Sequence, residues 1–251
     1  MKLLDFMIVG AQKCGTTALA EFLNQHSRIQ MARDKEVHLF DSLEFSPDWT
    51  PHEISAHYQN YFHPPKKCQI LGEATPIYLY LPEIASQLAK YNPMLKVIVL
   101  MRDPVERAYS QYRMERDRGN ESIPFGLALL LEGFRLLRDS KSREEESSVR
   151  RHSYRSRGLY SRQLDNLWKH FPREQVLVVS NEALRNDHQI TLDQVFDFLE
   201  IPAENISPRT IFSQDLDLGE VPVSAYLLRK SYIQEFNRLD DRVGFSIDRW
   251  R

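Results

Sequence analysis

The sequence predicts an α/β protein with a central parallel β-sheet flanked by helices, and three observations predict it. Short apolar runs rich in β-branched residues alternate along the chain with segments of helical periodicity. The first run, Phe6 to Gly10, ends in glycine and leads into a Gly-containing loop that opens a helix. The strongest, Lys96-Val97-Ile98-Val99-Leu100-Met101, lies between Pro93 and Pro104 and shows no polar alternation, which suits a strand buried on both faces.

The remaining elements follow in order. Ala18, Leu19, Phe22 and Leu23 form one helical stripe, and Ile70-Leu71-Gly72 reads as a short strand. A helix is expected from about Pro82, suited to the first helical position, to Tyr91. Another starts at Pro104 and runs through Tyr109 and Tyr112, and Phe125 to Leu137 is also helical. Leu159 to Phe171 reads as an amphipathic helix, Gln175 to Val179 as a strand, and Leu192 to Leu199 as a helix closed by Pro202. From Val223 onward, Tyr226, Leu227, Ile233, Phe236 and Leu239 suggest one helix face packed on the core, with Tyr232 and Trp250 as core or rim aromatics. The charged stretch from Arg135 to Arg157 carries eight cations around Glu144-Glu145-Glu146. It reads as a solvated loop, or as a lid over about residues 138–157 that orders on binding.

The 251 residues suffice for a sizeable core, and 1–251 is read as one domain. A composition of 42% apolar and 27% charged residues excludes a disordered chain or a disulfide scaffold. Thirty-three Lys and Arg against 35 Asp and Glu leave a net charge of −2, so no global field grips a nucleic-acid backbone. No apolar run is long enough to span a bilayer, and Asp5 interrupts the one stretch that resembles a signal peptide. A cytoplasmic protein without a nucleic-acid or membrane partner is expected. Cys14 and Cys68 lack metal-ligand spacing and the eight histidines are scattered, so no metal site is expected.

In parallel sheets ligands bind beyond the carboxyl ends of the strands, so chemistry is sought just after Val9 and Met101. The loop Gly10-Ala11-Gln12-Lys13-Cys14-Gly15-Thr16-Thr17 allows backbone N–H groups to converge on an anion at a helix N-terminus. It meets the ATPase phosphate-loop pattern at Gly10, Gly15 and Thr17, but Thr16 stands where that pattern has Lys, and Lys13 lies inside the loop. Phosphoryl transfer leans on Mg²⁺ to offset charge, whereas a singly charged sulfuryl group can be served by Lys, hydroxyl and N–H donors. A nucleotide kinase is the enzyme alternative, and Thr16 contradicts it. Cys14 admits two readings, a nucleophile activated by its surroundings or a small packing residue.

Three ordered blocks carry a family resemblance: Ile8 to Leu19, Lys35-Glu36-Val37-His38-Leu39-Phe40-Asp41, and Val97 to Ser110, with further likeness through Arg157-Gly158-Leu159-Tyr160. They resemble the sulfotransferases that use 3′-phosphoadenosine 5′-phosphosulfate (PAPS), in particular the branch of heparan sulfate sulfotransferases and related bacterial enzymes. The resemblance implies a P-loop-like three-layer fold, PAPS as donor, 3′,5′-adenosine bisphosphate (PAP) as product, and no metal. It implies that Lys13, Cys14, Gly15, Thr16 and Thr17 hold the 5′-phosphosulfate, with Lys13 at the bridging oxygen. Arg102 and Ser110 would bind the 3′-phosphate, and Tyr160 joins the nucleotide-binding set. Glu36 would be the general base, with His38 orienting the acceptor or itself the base. Lys35, Thr75 and Pro76 would line the acceptor site with Glu36 and His38.

Two departures qualify the likeness. Polysaccharide-modifying members place a Lys where this chain has Ala74. Ile211 to Leu228 contains no Lys or Arg where the family often has a basic loop, leaving Arg209, Arg229 and Lys230 as candidates to replace it. The implied reaction is sulfuryl transfer to the hydroxyl of a small acceptor. An amine, a heparan-type polymer and an inactive nucleotide-binding relative are the alternatives.

Overall fold

The computed structural model describes residues 2–34, 36–64, 69–139, 144, 146–209 and 223–251. Among them are five strands: β1 (Phe6–Gly10), β2 (Ile29–Met31), β3 (Ile70–Ala74), β4 (Lys96–Met101) and β5 (Val176–Ser180). The α-helices are α1 (Thr16–Leu23), α2 (Pro51–Tyr58), α3 (Ile84–Tyr91), α4 (Pro104–Asp117), α5 (Phe125–Arg138), α6 (Ser148–Arg151), α7 (Tyr160–Trp168), α8 (Asn181–Asn186), α9 (His188–Leu199), α10 (Val223–Ser231) and α11 (Ile233–Leu239). None of the described helices is long and apolar enough to cross a membrane. The chain divides into two compact units, Met1–Met101 with Leu164–Ser213, and Arg102–Gln163 with Gln214–Arg251.

The first unit holds the sheet, which is parallel throughout and ordered β2-β3-β1-β4-β5. The central strand β1 is buried at all five positions, as its unbroken apolar run requires. Its register is set by Phe6 opposite Gly72 on one side and Lys96 on the other. Gly72 is needed because the Phe6 ring lies over it. Helix α1 buries Leu19, Phe22 and Leu23, and Asn24 after it accepts from the Met31 amide at 3.1 Å, tying the helix exit to β2.

Strand β2 and helix α2 were not anticipated. The three residues of β2 are too few to show a period. A local signal did exist for α2: Thr50 and Glu53 form a reciprocal capping box, with Pro51 at the first helical position. Helix α3 begins at Ile84 rather than Pro82, and the Pro82 carbonyl instead accepts from Asn166 Nδ2 at 2.8 Å.

In the second unit, Asp103 caps α4 through Val105 N (2.7 Å) and Glu106 N (3.2 Å), and Pro104 occupies the first helical position. The charged stretch departs from the solvated loop expected. Arg157 is buried, giving Nε to Ser153 Oγ (2.6 Å) and Nη2 to the carbonyls of Val149 and Arg150. Buried Glu132 accepts from the Arg155 and Ser156 amides, and Arg135 pairs with Glu121 at 2.6 Å. Buried cations and carboxylates are kept by such partners. Residues 140–143 and 145 of the stretch, and 211–222 of the cation-free one, lie outside the described residues.

The expected single helix face after Val223 is also corrected. The helix breaks at Tyr232, between α10 and α11, so the periodicity does not carry across. Tyr226, Leu227 and Ile233 are exposed, while Ala225, Leu228, Tyr232, Phe236 and Leu239 are buried. Trp250 is buried and lies near Tyr160, ring centres 6.3 Å apart.

The β1–β3 contact supplies a test of the packing. A Cβ at Gly72 would lie 2.1 Å from Phe6 Cζ, so Gly72→Ala should destabilise the fold by about 1–3 kcal/mol. Urea unfolding measures this, and adding Phe6→Leu should recover part of the loss.

Candidate active site

The carboxyl end of β1 leads into the anion loop. Ala11 N donates to the Leu100 carbonyl at 2.8 Å, and the chain turns back at Cys14, whose N–H reaches the Ala11 carbonyl at 3.2 Å. Gly15 caps α1 with φ +90°, a conformation that favours glycine. A Cβ there would also stand 2.4 Å from Asn181 Nδ2, which donates to the Cys14 carbonyl at 3.0 Å. Helix α1 has no side-chain cap and no acidic residue in its first turn. Its leading N–H groups and positive dipole end are therefore suited to an anion.

Thr16 is buried and Thr17 half-buried at that helix start. Cys14 is wholly buried with Sγ 3.9 Å from the Gln12 carbonyl, which matches the packing reading and leaves its backbone as the part that shapes the loop.

The segment after β2 is held in an unusual backbone. Among the described residues, four non-glycine residues have positive φ: Lys13 (69°), Glu36 (61°), His38 (55°) and Glu200 (58°). Three of them are the residues assigned to chemistry from the sequence. Left-handed backbone at such residues costs on the order of 1 kcal/mol or more each and persists where the surroundings impose it.

Around His38 several polar contacts converge. His38 Nδ1 lies 2.9 and 3.1 Å from the two oxygens of Asp41, and Nε2 lies 3.4 Å from Glu36 Oε2. The His38 amide donates to Thr75 Oγ1 at 3.4 Å. The Asp41 side chain has no solvent exposure, that of Glu36 has 25% and that of His38 38%. Burial alone would lower the His38 pKa, but the hydrogen bonds to Asp41 and Glu36 outweigh it and raise it to about 9. The imidazole is thus a cation at neutral pH, with Nδ1 hydrogen-bonded to Asp41 and Nε2 facing Glu36.

Asp41 has no role in the sequence reading; its spacing of three from His38 is the signal that could have placed it. Glu73 is buried near the end of β3, where desolvation raises its carboxyl pKa to about 8. Thr75 and Pro76 were expected against the acceptor, but both are buried, and Thr75 is engaged with Glu73 and His38. Lys35 lies outside the described residues.

In the second unit, Arg102 follows directly on β4. Its Nε and Nη2 reach Glu106 Oε2 at 2.8 and 2.7 Å. Tyr160, wholly buried, donates its hydroxyl to the Arg102 carbonyl at 2.9 Å, so it braces the arginine and presents no surface of its own. Ser110 is buried on α4. Asp103, whose burial pushes its pKa up against the pull of Arg229, pairs with that arginine at 2.6 Å. Lys230 lies over the Tyr226 ring.

The family model of the sulfotransferase domain matches residues 3–217. The chain belongs to the sulfotransferase family. Mouse heparan sulfate glucosamine 3-O-sulfotransferase 3B1 is 32% identical over 193 residues, 77% of this chain and 45% of that protein. The chain thus spans less than half the length of this curated relative. A solved sulfotransferase from Alicyclobacillus acidocaldarius is 27% identical with a TM-score of 0.78, and the match covers 100% of both chains. A mouse sulfotransferase complexed with PAP has a TM-score of 0.51 at 17% identity, covering 91% of this chain and 65% of that one, which shows a shared fold. The central parallel sheet flanked by helices is the P-loop-like architecture of these sulfotransferases.

The His38 arrangement yields a pH prediction. Its pKa in the fold lies above the ordinary 6.5, so its contribution to stability is complete below 6.5 and is lost as pH rises through about 9. Asp41→Asn should return the His38 midpoint toward 6.5, read by NMR titration of the ring. It should also flatten the decline of Tm between pH 6.5 and 9.

Proposed function

We propose that this protein is a PAPS-dependent sulfotransferase that acts on the hydroxyl of a small alcohol, with Glu36 as general base. The observation that carries the assignment of roles is His38 between two carboxylates. A cationic imidazole has no lone pair to take a proton, which leaves Glu36, partly exposed beside it, as the acceptor of the hydroxyl proton. His38 in turn orients Glu36 and Asp41 orients His38. This arrangement favours Glu36 over His38 as the base.

The loop residues fit the donor's anionic end. Gly15 gives the left-handed turn into α1, Thr16 and Thr17 bring N–H and hydroxyl donors, and Lys13 brings a positive charge. Arg102, braced by Tyr160, is assigned the 3′-phosphate together with Ser110. PAPS supplies the sulfuryl group, whose bond to phosphate oxygen breaks as the acceptor oxygen bonds to sulfur. Lys13 offsets the charge left on phosphate, and Glu36 takes the proton.

For the acceptor, Ala74 removes the cation that polysaccharide-modifying members present to an anionic sugar, which supports a small neutral alcohol. The similarity to a heparan sulfate glucosamine 3-O-sulfotransferase favours a polymer as the second reading.

Calorimetry should show PAP binding without metal and in preference to Mg-ATP; preference for Mg-ATP would replace this reading with a kinase. Glu36→Ala should leave PAP affinity unchanged and lower turnover by about 10²–10⁴-fold. Arg102→Ala should weaken PAP binding by about 10- to 100-fold through lost charge-assisted hydrogen bonds. Transfer from labelled PAPS to benzyl alcohol, but not to desulfated heparan, would support the small acceptor; the reverse would establish the polymer.

A further inference from the structure

Glu73 stands one residue before the end of β3, opposite Met7 of β1, and is completely buried. A carboxyl group in that position is costly unless it is partnered or neutral. Its Oε1 accepts from the Thr75 hydroxyl, while Oε2 has no hydrogen-bond partner among the described residues. The Thr75 oxygen, oriented by that bond, receives the His38 amide at 3.4 Å. A continuous path therefore runs from Glu73 through Thr75 to the backbone of His38. That backbone is held at φ 55°, two residues beyond Glu36 at φ 61°.

We propose that Glu73 is a positioning residue for the transfer reaction: through Thr75 it fixes the backbone of the Glu36–His38 segment and so the direction in which Glu36 presents its carboxylate. This inference rests on the reading of Glu36 as the base. The ionisable groups within electrostatic reach of Glu73 are His38 and Asp41 from the segment after β2, Tyr58 from α2, Tyr78 from the turn after β3, and Tyr91 from α3. The Val37 amide also favours its charged form, but burial is the larger influence, and Glu73 keeps its proton at neutral pH. The His38 cation is then shared by the two carboxylates it touches, with no third negative charge behind it.

The test compares Glu73→Gln, Glu73→Ala, Thr75→Val and Thr75→Ser in the whole chain. Gln keeps an oxygen for Thr75 and is neutral, and Ser keeps the hydroxyl, whereas Ala and Val break the path. With benzyl alcohol as acceptor, Glu73→Ala and Thr75→Val should lower kcat at least tenfold with KM and PAP affinity unchanged. Glu73→Gln and Thr75→Ser, which keep that hydrogen bond, should stay within about threefold of wild type. The second readout needs no acceptor: the His38 titration midpoint should remain near 9 in the Gln and Ser variants and fall toward 6.5 in the Ala and Val variants. Full kcat and an unmoved His38 midpoint in folded Thr75→Val would overturn the proposal, as would Glu73→Gln behaving like Glu73→Ala. If wild type itself transfers nothing to benzyl alcohol while the His38 midpoints move as stated, the small-alcohol reading fails and the positioning role stands.

Discussion

Burying a carboxylate without a counter-charge is among the more expensive things a chain can do, and the arrangement around His38 follows from that constraint. The Asp41 side chain is out of contact with water, and His38 sits against it. His38 becomes a cation because Asp41 and Glu36 lie on its two ring nitrogens. A protonated imidazole in turn fixes which neighbour can still accept a proton. The charge on His38 thus follows from its contacts with the two carboxylates beside it.

The sheet supplies the geometry that makes this burial local. Three loops that carry the first unit's candidate residues leave the carboxyl ends of β1, β2 and β3, which pair in a continuous parallel register. Because parallel strands all point one way, residues distant in sequence, such as Lys13, His38 and Thr75, emerge along a single edge of the sheet. The backbone at Lys13, Glu36 and His38 is left-handed where regular structure has ended, so the distortion does not interrupt a hydrogen-bonded ladder.

How much of this was legible in the sequence depended on the length scale of each signal. Strands β1 and β4 could be read because an unbroken apolar run has one explanation in a parallel sheet. Strand β2 is three residues long with Gln30 in its middle, and its identity comes from pairing with β3, which no local pattern encodes. Glu36 and His38 were visible through their motif, but the charge on His38 was not, since it depends on the bonds from Asp41 and Glu36. Glu73 looked like an ordinary polar residue at a strand end and Thr75 like part of the acceptor site, and their burial is not written in any local pattern. In the charged stretch, composition was misleading. Arg157 and Glu132 are interior residues because backbone groups satisfy them, a fact that counting charges cannot reveal.

The pair formed by Asp103 and Arg229 spans 126 positions of chain. Arg229 also donates to the carbonyl of Trp250, next to the last residue. During synthesis, Asp103, next to Arg102, leaves the ribosome long before Arg229 exists. Asp103 therefore waits without its counter-charge while the 126 positions up to Arg229 are made, and the second unit closes only after that. A nascent chain halted before α10 would have its strands in hand and the residue beside Arg102 still uncompensated.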